Sequence, residues 1–114
     1  MLQLEGPYEL SVESVEHTVP RGVPGVYLLG YVDPSGTFRV QHVGRNDVDV
    51  RKRLRELIGS STRFKFAGLA NTRDAFEQEC ALFHKFKPRG VISHPQRPAG
   101  SDWKCPVCFQ LHFG

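Results

Sequence analysis

The sequence lacks the features of a membrane, secreted or disulfide-stabilised protein. No apolar run approaches the ~20 residues needed to span a bilayer. The first residues, MLQLEGPYEL, show no basic stretch followed by an apolar one, so we expect no secretion and a cytoplasmic location. Three cysteines without an export signal argue against a disulfide scaffold and favour metal binding or packing.

Lysine and arginine are absent from residues 1–20, which carry four glutamates and a formal charge of −4. The remaining residues hold 15 basic and 8 acidic side chains and therefore carry +7. Such an excess favours a polyanionic partner such as nucleic acid, through phosphate contacts and counterion release. A solvated basic surface without such a partner fits the charge equally well.

The length of 114 residues and the hydrophobic content of 39% predict one globular domain, residues 1–114, with a single modest core. No repeat or low-complexity segment divides it. Residues 1–24, with the alternating ELSVESV, read as a weakly specified arm that adds a strand or covers a sheet edge. Residues 25–88 read as the core and residues 89–114 as an irregular tail.

A β-hairpin is predicted at residues 25–43, GVYLLGYVDPSGTFRVQHV. Its first part is a strongly apolar strand, DPSG supplies turn residues, and TFRVQHV alternates between apolar and polar. Tyr27 stands near the start of the first strand and His42 near the end of the second. Two titratable rings on adjacent strands, beside glycines, are unusual for an ordinary hairpin.

A first helix is predicted over NDVDVRKRLRELIG, with Asn46 or Asp47 as its cap and Gly59 at its end. Its apolar stripe consists of Val50, Leu54, Leu57 and Ile58. Arg53 lies on the border of that stripe, so its guanidinium should lean over the edge of the core. The alternating RFKFAGLA that follows predicts a third strand.

A second helix is predicted over NTRDAFEQECALFHKFKP, capped by Asn71 or Thr72 and stopped by Pro88. Its buried face should consist of Ala75, Phe76, Leu82, Phe83 and Phe86. Glu79 lies at the centre of this face, where a carboxylate costs free energy unless a cation or hydrogen-bond donor compensates it. Although a helical glutamate is usually solvated, this position indicates a function.

Tyr27, His42, Arg53 and Glu79 follow one another on strand, strand, helix and helix, and this order resembles the GIY-YIG nuclease family. The resemblance covers residues 25 to 88, the family's catalytic core. GVY at residues 25–27 is similar to the GIY element and HVG at residues 42–44 to the YIG element. Arg53 in VRKRL matches the family's arginine, and Glu79 in DAFEQECALFHKF matches its metal-binding glutamate.

The resemblance implies an α/β (α+β) fold with a small three-stranded antiparallel sheet flanked by helices. It also implies phosphodiester cleavage assisted by one divalent cation, Mg²⁺ or Mn²⁺, with Glu79 as the protein ligand. Arg53 would then donate hydrogen bonds to the phosphoryl oxygens. Tyr27 would take a proton from the attacking water if nearby cations lowered its pKa.

Two positions depart from the family's pattern. His42 replaces the tyrosine of the second element, and an imidazole with a pKa near ~6.5 accepts protons better at neutral pH than a phenol. His42 is therefore either a catalytic base or relay, or a satisfied core histidine. The family also tends to have an asparagine after the second helix, where this chain has Val91 with Ser93 and His94 nearby. Weak, altered or absent activity is thus also compatible with the sequence.

Cys105 and Cys108 have the spacing of a zinc knuckle, which is half of a tetrahedral site. Together with His84 and His94 they predict a structural zinc site that joins the tail to the second helix. Cys80 on that helix is expected to pack in the core. Thiols without a metal and a redox pair are the alternatives.

The sequence thus predicts a metal-dependent endonuclease acting on nucleic acid, DNA more than RNA. Its contacts to the phosphate backbone would be made by Arg45, Arg51, Lys52, Arg55, Lys85, Lys87 and Arg89. A domain of this size usually needs a partner domain or a homodimer for sequence readout. The rival hypotheses are a nucleic-acid-binding module that has lost the chemistry and a zinc-stapled protein-interaction domain.

Overall fold

The computed structural model describes residues 3–86 and 95–107 of the chain. Its elements are, in chain order, β1 (Glu5–Glu9), α1 (Val12–Thr18), β2 (Gly25–Val32), β3 (Phe38–Asn46), α2 (Val50–Glu56), β4 (Arg63–Gly68) and α3 (Thr72–Phe86). The four strands form one antiparallel sheet in the order β1-β4-β2-β3. The α+β class is confirmed, but the expected three-stranded sheet is wrong because the N-terminal arm supplies a fourth strand.

The N-terminal arm forms β1 and α1. Strand β1 pairs with β4, with Tyr8 opposite Phe64, and so covers the edge of β4. The ELSVESV segment that suggested alternation is helical from Val12, because the Ser11 side chain caps the Ser14 N–H at 3.2 Å. Val15 is buried on this helix, against the core.

The hairpin, the third predicted strand and both predicted helices are present. The cap of α2 is Asp49, whose carboxylate accepts from the Lys52 N–H at 3.3 Å, and not Asn46 or Asp47. Asn46 instead accepts from the Asp49 N–H at 2.7 Å and shapes the turn that precedes the helix. Asn71 caps α3 as predicted. Within the described ranges, no helix combines the length and apolar character that crossing a bilayer requires.

A β-bulge in β3 decides which way His42 points. Leu29 lies opposite His42, but the next residue, Gly30, lies opposite Val40, so Gln41 is left without a partner in the ladder. A regular ladder continued from Val40 would place His42 opposite Leu28, on the other face of the sheet. The extra residue brings His42 onto the face that carries Tyr27.

The sheet separates two clusters of buried side chains. The face that carries Tyr27, here called the tyrosine face, packs against α1 and α2. Its core consists of Leu10, Val15, Val19, Tyr27, Leu29, Val50, Leu54, Phe64 and Phe66. The opposite face, here called the α3 face, is covered by α3 and carries a smaller cluster of Phe76, Cys80 and Cys105, with Trp103 and Val107 against it.

The buried face of α3 differs from the predicted one at its end. Ala75, Phe76, Glu79 and Cys80 are buried. Leu82 and Phe83 are only half-buried, and Phe86 is 37% exposed. The prediction that Phe86 is buried is therefore wrong, since the helix extends beyond the width of the sheet it covers.

Candidate functional site

Tyr27 lies directly on Gly44 of the neighbouring strand. The two residues are paired across β2 and β3, and Tyr27 is only 2% exposed. A Cβ at position 44 would meet Cζ and Oη of Tyr27, each at 2.4 Å. Glycine is therefore required at position 44 by the close approach of the ring, and it fixes the place of the phenol.

Arg53 and His42 lie on either side of this phenol. The Arg53 guanidinium forms a hydrogen bond with the Tyr27 hydroxyl, while a loose ion pair of 3.5 Å joins it to Glu56. Its side chain is 43% exposed, so it leans over the edge of the core as predicted. The ring centroids of Tyr27 and His42 are 6.0 Å apart. Three of the four predicted catalytic residues are thus brought together on the tyrosine face.

The pKa values of Tyr27 and His42 are shifted in opposite directions. Burial raises the pKa of Tyr27 above its usual value, although the hydrogen bond from Arg53 opposes this shift. Burial first, and the charge of Arg53 second, lower the pKa of His42. At neutral pH the phenol therefore stays protonated, whereas the imidazole is neutral and able to accept a proton. These shifts favour His42 over Tyr27 as the base.

Glu79 lies on the α3 face, where Arg45 of β3 offsets the cost of burying its carboxylate. Nη1 of Arg45 donates to Oε1 of Glu79 at 2.5 Å, and the two side chains are 12% and 11% exposed. Arg45 also donates to Asp47 Oδ1 at 2.8 Å and to the Gln96 carbonyl at 2.5 Å. Its guanidinium lies 5.2 Å above the Phe76 ring. Arg45, predicted to contact phosphate, is therefore committed to interactions within the domain.

Glu79 on the α3 face and Tyr27 on the tyrosine face interact electrostatically. The negative charge of Glu79 contributes to the raised pKa of Tyr27, after the effects of burial and Arg53. Within residues 3–86 and 95–107, no three His, Cys, Asp or Glu side chains converge as a metal site would require. The donor type of Glu79 suits Mg²⁺, which is often held by one or two carboxylates and keeps several waters. A cation at Oε1 would have to take the place of Arg45.

The predicted phosphate contacts on α2 face the acidic arm of the chain. Nη2 of Arg51 donates to the Glu16 carbonyl at 2.5 Å, and Arg55 forms a 3.5 Å ion pair with the Glu16 carboxylate. These contacts use part of the positive charge of α2 to hold α1. The predicted contacts that are exposed are Lys52, Arg55 and Lys85. Lys87 and Arg89, which were also predicted to contact phosphate, lie outside the described residues.

The predicted zinc ligands are described only in part. Cys105 is buried beside Cys80 of α3, the residue expected to pack in the core. The His84 ring meets the Phe83 ring edge-on, with centroids 5.5 Å apart. His94 and Cys108 lie outside the described residues.

Comparison of the chain with protein-family models, with curated proteins and with solved structures found no significant match. The likeness to the GIY-YIG family therefore stays a prediction that rests on the chain's own residues. Sequence reasoning missed the pairing of Arg45 with Glu79. Alternation along β3 indicates that Arg45, next to Gly44, points to the face opposite Tyr27, but it does not identify the partner of Arg45 on that face.

Proposed function

We propose that the chain is a GIY-YIG-type nuclease that hydrolyses phosphodiester bonds of nucleic acid, DNA more than RNA. The observation that carries this proposal is the cluster of Tyr27, His42 and Arg53 at the end of the β2–β3 hairpin. Three residue types suited to phosphoryl transfer meet there. Gly44 leaves the space that the phenol ring of Tyr27 occupies. No packing requirement of a plain hairpin explains all of these features together.

Each of the three side chains has a distinct role in the proposal. Arg53 donates hydrogen bonds to the phosphoryl oxygens, where negative charge develops. His42 takes the proton of the attacking water as the new oxygen–phosphorus bond forms and the bond to the leaving oxygen breaks. Tyr27 stays protonated at neutral pH and is not the base. Its hydroxyl oxygen accepts the hydrogen bond that orients Arg53.

Glu79 would hold the divalent cation in this proposal. Because Glu79 lies on the α3 face and the other three side chains lie on the tyrosine face, the phosphate would have to lie at the edge strand β3, where such an ion would polarise it. The contribution of the chain itself is to present one buried carboxylate whose charge also reaches Tyr27. Arg45 competes for this carboxylate, so the affinity for Mg²⁺ is expected to be weak.

A nucleic-acid-binding module without cleavage is the second candidate. The ion pair between Arg45 and Glu79 favours it, because a carboxylate that already has a buried cationic partner does not need a metal. In this case Arg53 at the tyrosine face contacts phosphate, and no phosphodiester bond is broken.

The experiment measures cleavage and binding on the same labelled substrates. Single- and double-stranded DNA and RNA are incubated with Mg²⁺, Mn²⁺ or a chelator, and binding is followed by fluorescence anisotropy. The variants are Glu79→Gln, which keeps the shape of the side chain, and His42→Gln. The matched control is Glu77→Gln on the same helix, because Glu77 is 33% exposed and only pairs with Arg73 at 3.6 Å.

The nuclease proposal requires cleavage by the wild type and by Glu77→Gln and its loss in Glu79→Gln. Salt-dependent binding without cleavage under any metal would replace it with the binding module. A folded protein that neither binds nor cleaves would overturn both candidates and leave the protein-interaction domain.

A further inference from the structure

A pocket of about 440 Å³ lies where the C-terminal segment, residues 95–107, meets the start of α3. Its lining includes Arg73 of α3 and Asp102, Trp103 and Lys104 of the segment. A volume of this size is within the range of pockets that hold small organic ligands. None of these four side chains belongs to the proposed catalytic cluster, so the pocket calls for an explanation of its own.

The Trp103 indole packs on the protein with one part of its surface and borders the pocket with another. Its centroid lies 6.4 Å from that of Phe76, which is buried on α3. Trp103 as a whole is half-buried, whereas Cys105, at 7% exposed, holds the segment to α3 more deeply. The indole thus offers a flat apolar surface to a ligand in the pocket.

Positive charge flanks this indole. Cζ of Arg73 lies 6.0 Å from the centroid of the Trp103 ring, and Lys104 adds a second cation to the lining. Arg73 is 61% exposed, and its ion pair with Glu77 is loose, at 3.6 Å. Because an exposed ion pair of this kind contributes little to stability, the guanidinium can turn toward a phosphate at little cost in free energy.

An accessible aromatic ring beside two cations suits a nucleotide that is not base-paired. Every nucleobase has a flat face that stacks on an aromatic side chain, while cations contact the adjoining phosphates. In a duplex these faces are covered by the neighbouring bases, so only the backbone is accessible to the pocket. Asp102 adds a carboxylate to the lining, which can accept a hydrogen bond from the exocyclic amino group of adenine, cytosine or guanine.

The pocket is close to the edge strand β3, where the proposed nuclease would bind the phosphate that it attacks. Phe76 connects the two places, because it contacts Trp103 and its ring lies 5.2 Å from Cζ of Arg45 on β3. Thr72, in the first turn of α3, donates to the Asp47 carbonyl at 3.1 Å, directly after the end of β3. A nucleic-acid strand that follows this edge of the sheet can therefore reach both places.

We propose that this pocket binds an unpaired nucleotide of a nucleic-acid strand, with its base stacked on Trp103 and its phosphates on Arg73 and Lys104. The inference deepens the proposed function, because it names single-stranded or locally unpaired nucleic acid as the substrate class. It rests on the nucleic-acid binding of that proposal and not on cleavage.

The experiment follows the binding of a short labelled single-stranded DNA to the full chain, with a chelator present so that no cleavage occurs. Anisotropy of the label reports affinity, and the fluorescence of Trp103, the single tryptophan of the chain, reports stacking. The comparison probes are the corresponding duplex and an abasic strand of the same length, which has the phosphates without the bases. The single strand should quench Trp103, whereas both comparison probes should quench it much less.

The variants separate the contribution of the base from that of the phosphates. Trp103→Ala should lower the affinity for the single strand about tenfold or more, and Trp103→Phe, which keeps a ring, should lower it less. Arg73→Gln should weaken binding and reduce its salt dependence by about the contribution of one phosphate contact. Tyr31→Ala is the matched control, because this ring is 42% exposed on β2 and lies outside the pocket, so the affinity should not change.

The quenching by the three probes is measured on the unaltered protein, so the inference stays testable if Trp103→Ala loosens the C-terminal segment. A single strand that binds without quenching Trp103 would overturn the inference. Equal quenching by the abasic strand or by the duplex would also overturn it, as would unchanged affinity in a folded Trp103→Ala.

These results are distinguishable from a failure of the nuclease proposal. Base-dependent quenching of Trp103 in a protein that cleaves no substrate would support the pocket and leave the binding module. Cleavage together with unaltered binding in Trp103→Ala would support the nuclease and exclude the pocket. A folded chain that binds no strand at all would exclude both.

Discussion

The two faces of the sheet are stabilised in different ways. The tyrosine face closes over nine buried side chains that are all apolar or aromatic. The α3 face buries smaller side chains next to the ion pair of Arg45 and Glu79: Val26, Leu28, Val43 and Ala67 of the sheet, Ala75, Phe76 and Cys80 of α3, and Cys105. Since each fully buried Val, Leu or Phe contributes about 1.5–3 kcal/mol, the tyrosine face, with its larger aromatic and aliphatic side chains, supplies the larger share of the hydrophobic stabilisation.

This difference shows how the polar residues of each face are supported. On the tyrosine face, Arg53 and His42 lie at the rim of a core that does not need them for stability. On the α3 face, Arg45, Glu79 and the two cysteines lie among the buried side chains between α3 and the sheet, so they are part of what holds α3. Changes on the tyrosine face should therefore separate activity from stability more cleanly than changes on the α3 face.

The largest effect is expected from truncating the core of the tyrosine face. Phe64→Ala removes a fully buried ring and should lower the free energy of unfolding by about 4 kcal/mol. Unfolding in urea, followed by circular dichroism and by Trp103 fluorescence, should shift equally for both probes. In Phe76→Ala, on the α3 face, Trp103 should report a transition at lower urea than circular dichroism does. Coincident transitions in Phe76→Ala would show that the two faces unfold as one unit.

The next largest effect concerns the buried ion pair. Glu79→Ala leaves Arg45, in a nearly buried position, without one of its two carboxylate partners and should cost about 3 kcal/mol. Arg45→Met should cost a similar amount, and the double variant should cost less than both together, because either single change already removes the interaction between the two side chains. Glu77→Ala, at the surface of the same helix, should change stability by less than about 0.5 kcal/mol. Additive costs for Glu79→Ala and Arg45→Met would show that the pair contributes nothing as a pair.

A smaller effect is expected where Tyr27 lies on Gly44. Gly44→Ala places a methyl group 2.4 Å from the phenol and should cost about 2 kcal/mol as the ring is displaced. Because the displaced hydroxyl also loses Arg53, cleavage should fall more than stability does. Gly68→Ala on β4 is the control, since its Cβ would meet only side-chain atoms, the nearest at 3.2 Å. Equal effects of the two substitutions on cleavage would contradict a special role for Gly44.

The smallest effect concerns the protonation of His42. Its pKa is lower in the folded chain than in the unfolded chain, so the folded state binds fewer protons as the pH falls through about 6.5. The stability that His42 confers is complete above this pH and is lost progressively below it. The difference in unfolding free energy between about pH 7 and about pH 5 should thus be smaller in His42→Gln than in the wild type. Cleavage should be lost at a pH below about 6.5, because the base acts in the folded chain, where its pKa is lowered. An unchanged pH profile in His42→Gln would exclude His42 as the base.

Local patterns in the sequence were sufficient for the elements that depend on periodicity and caps. The hairpin, the apolar stripe of α2, the start of the buried face of α3 and the position of Arg53 at the edge of the core followed from spacing alone. Strand β1 was not specified, because Gly6 and Pro7 interrupt it and most of its side chains are exposed. A strand of this kind is defined by its hydrogen bonds to β4 and not by its own side chains.

Long-range pairings could not be predicted in the same way. The partner of Glu79 depends on the face to which Arg45 points, and the face of His42 depends on one extra residue, Gln41, in the ladder. The contact of Cys80 with Cys105 depends on the path of a segment that has no periodic pattern. In each case a single backbone position, invisible in composition, decides which side chains meet.

The pairing of β1 with β4 imposes an order of events on the growing chain. Glu5 lies opposite Phe66, so β1 stays without a neighbouring strand until β4 has been synthesised. Closing so long a loop is slow compared with forming the adjacent hairpin. Until it closes, β4 exposes an unpaired edge to which a strand of another chain can add. The risk that two chains pair wrongly is therefore greatest after β4 has formed and before β1 has paired with it.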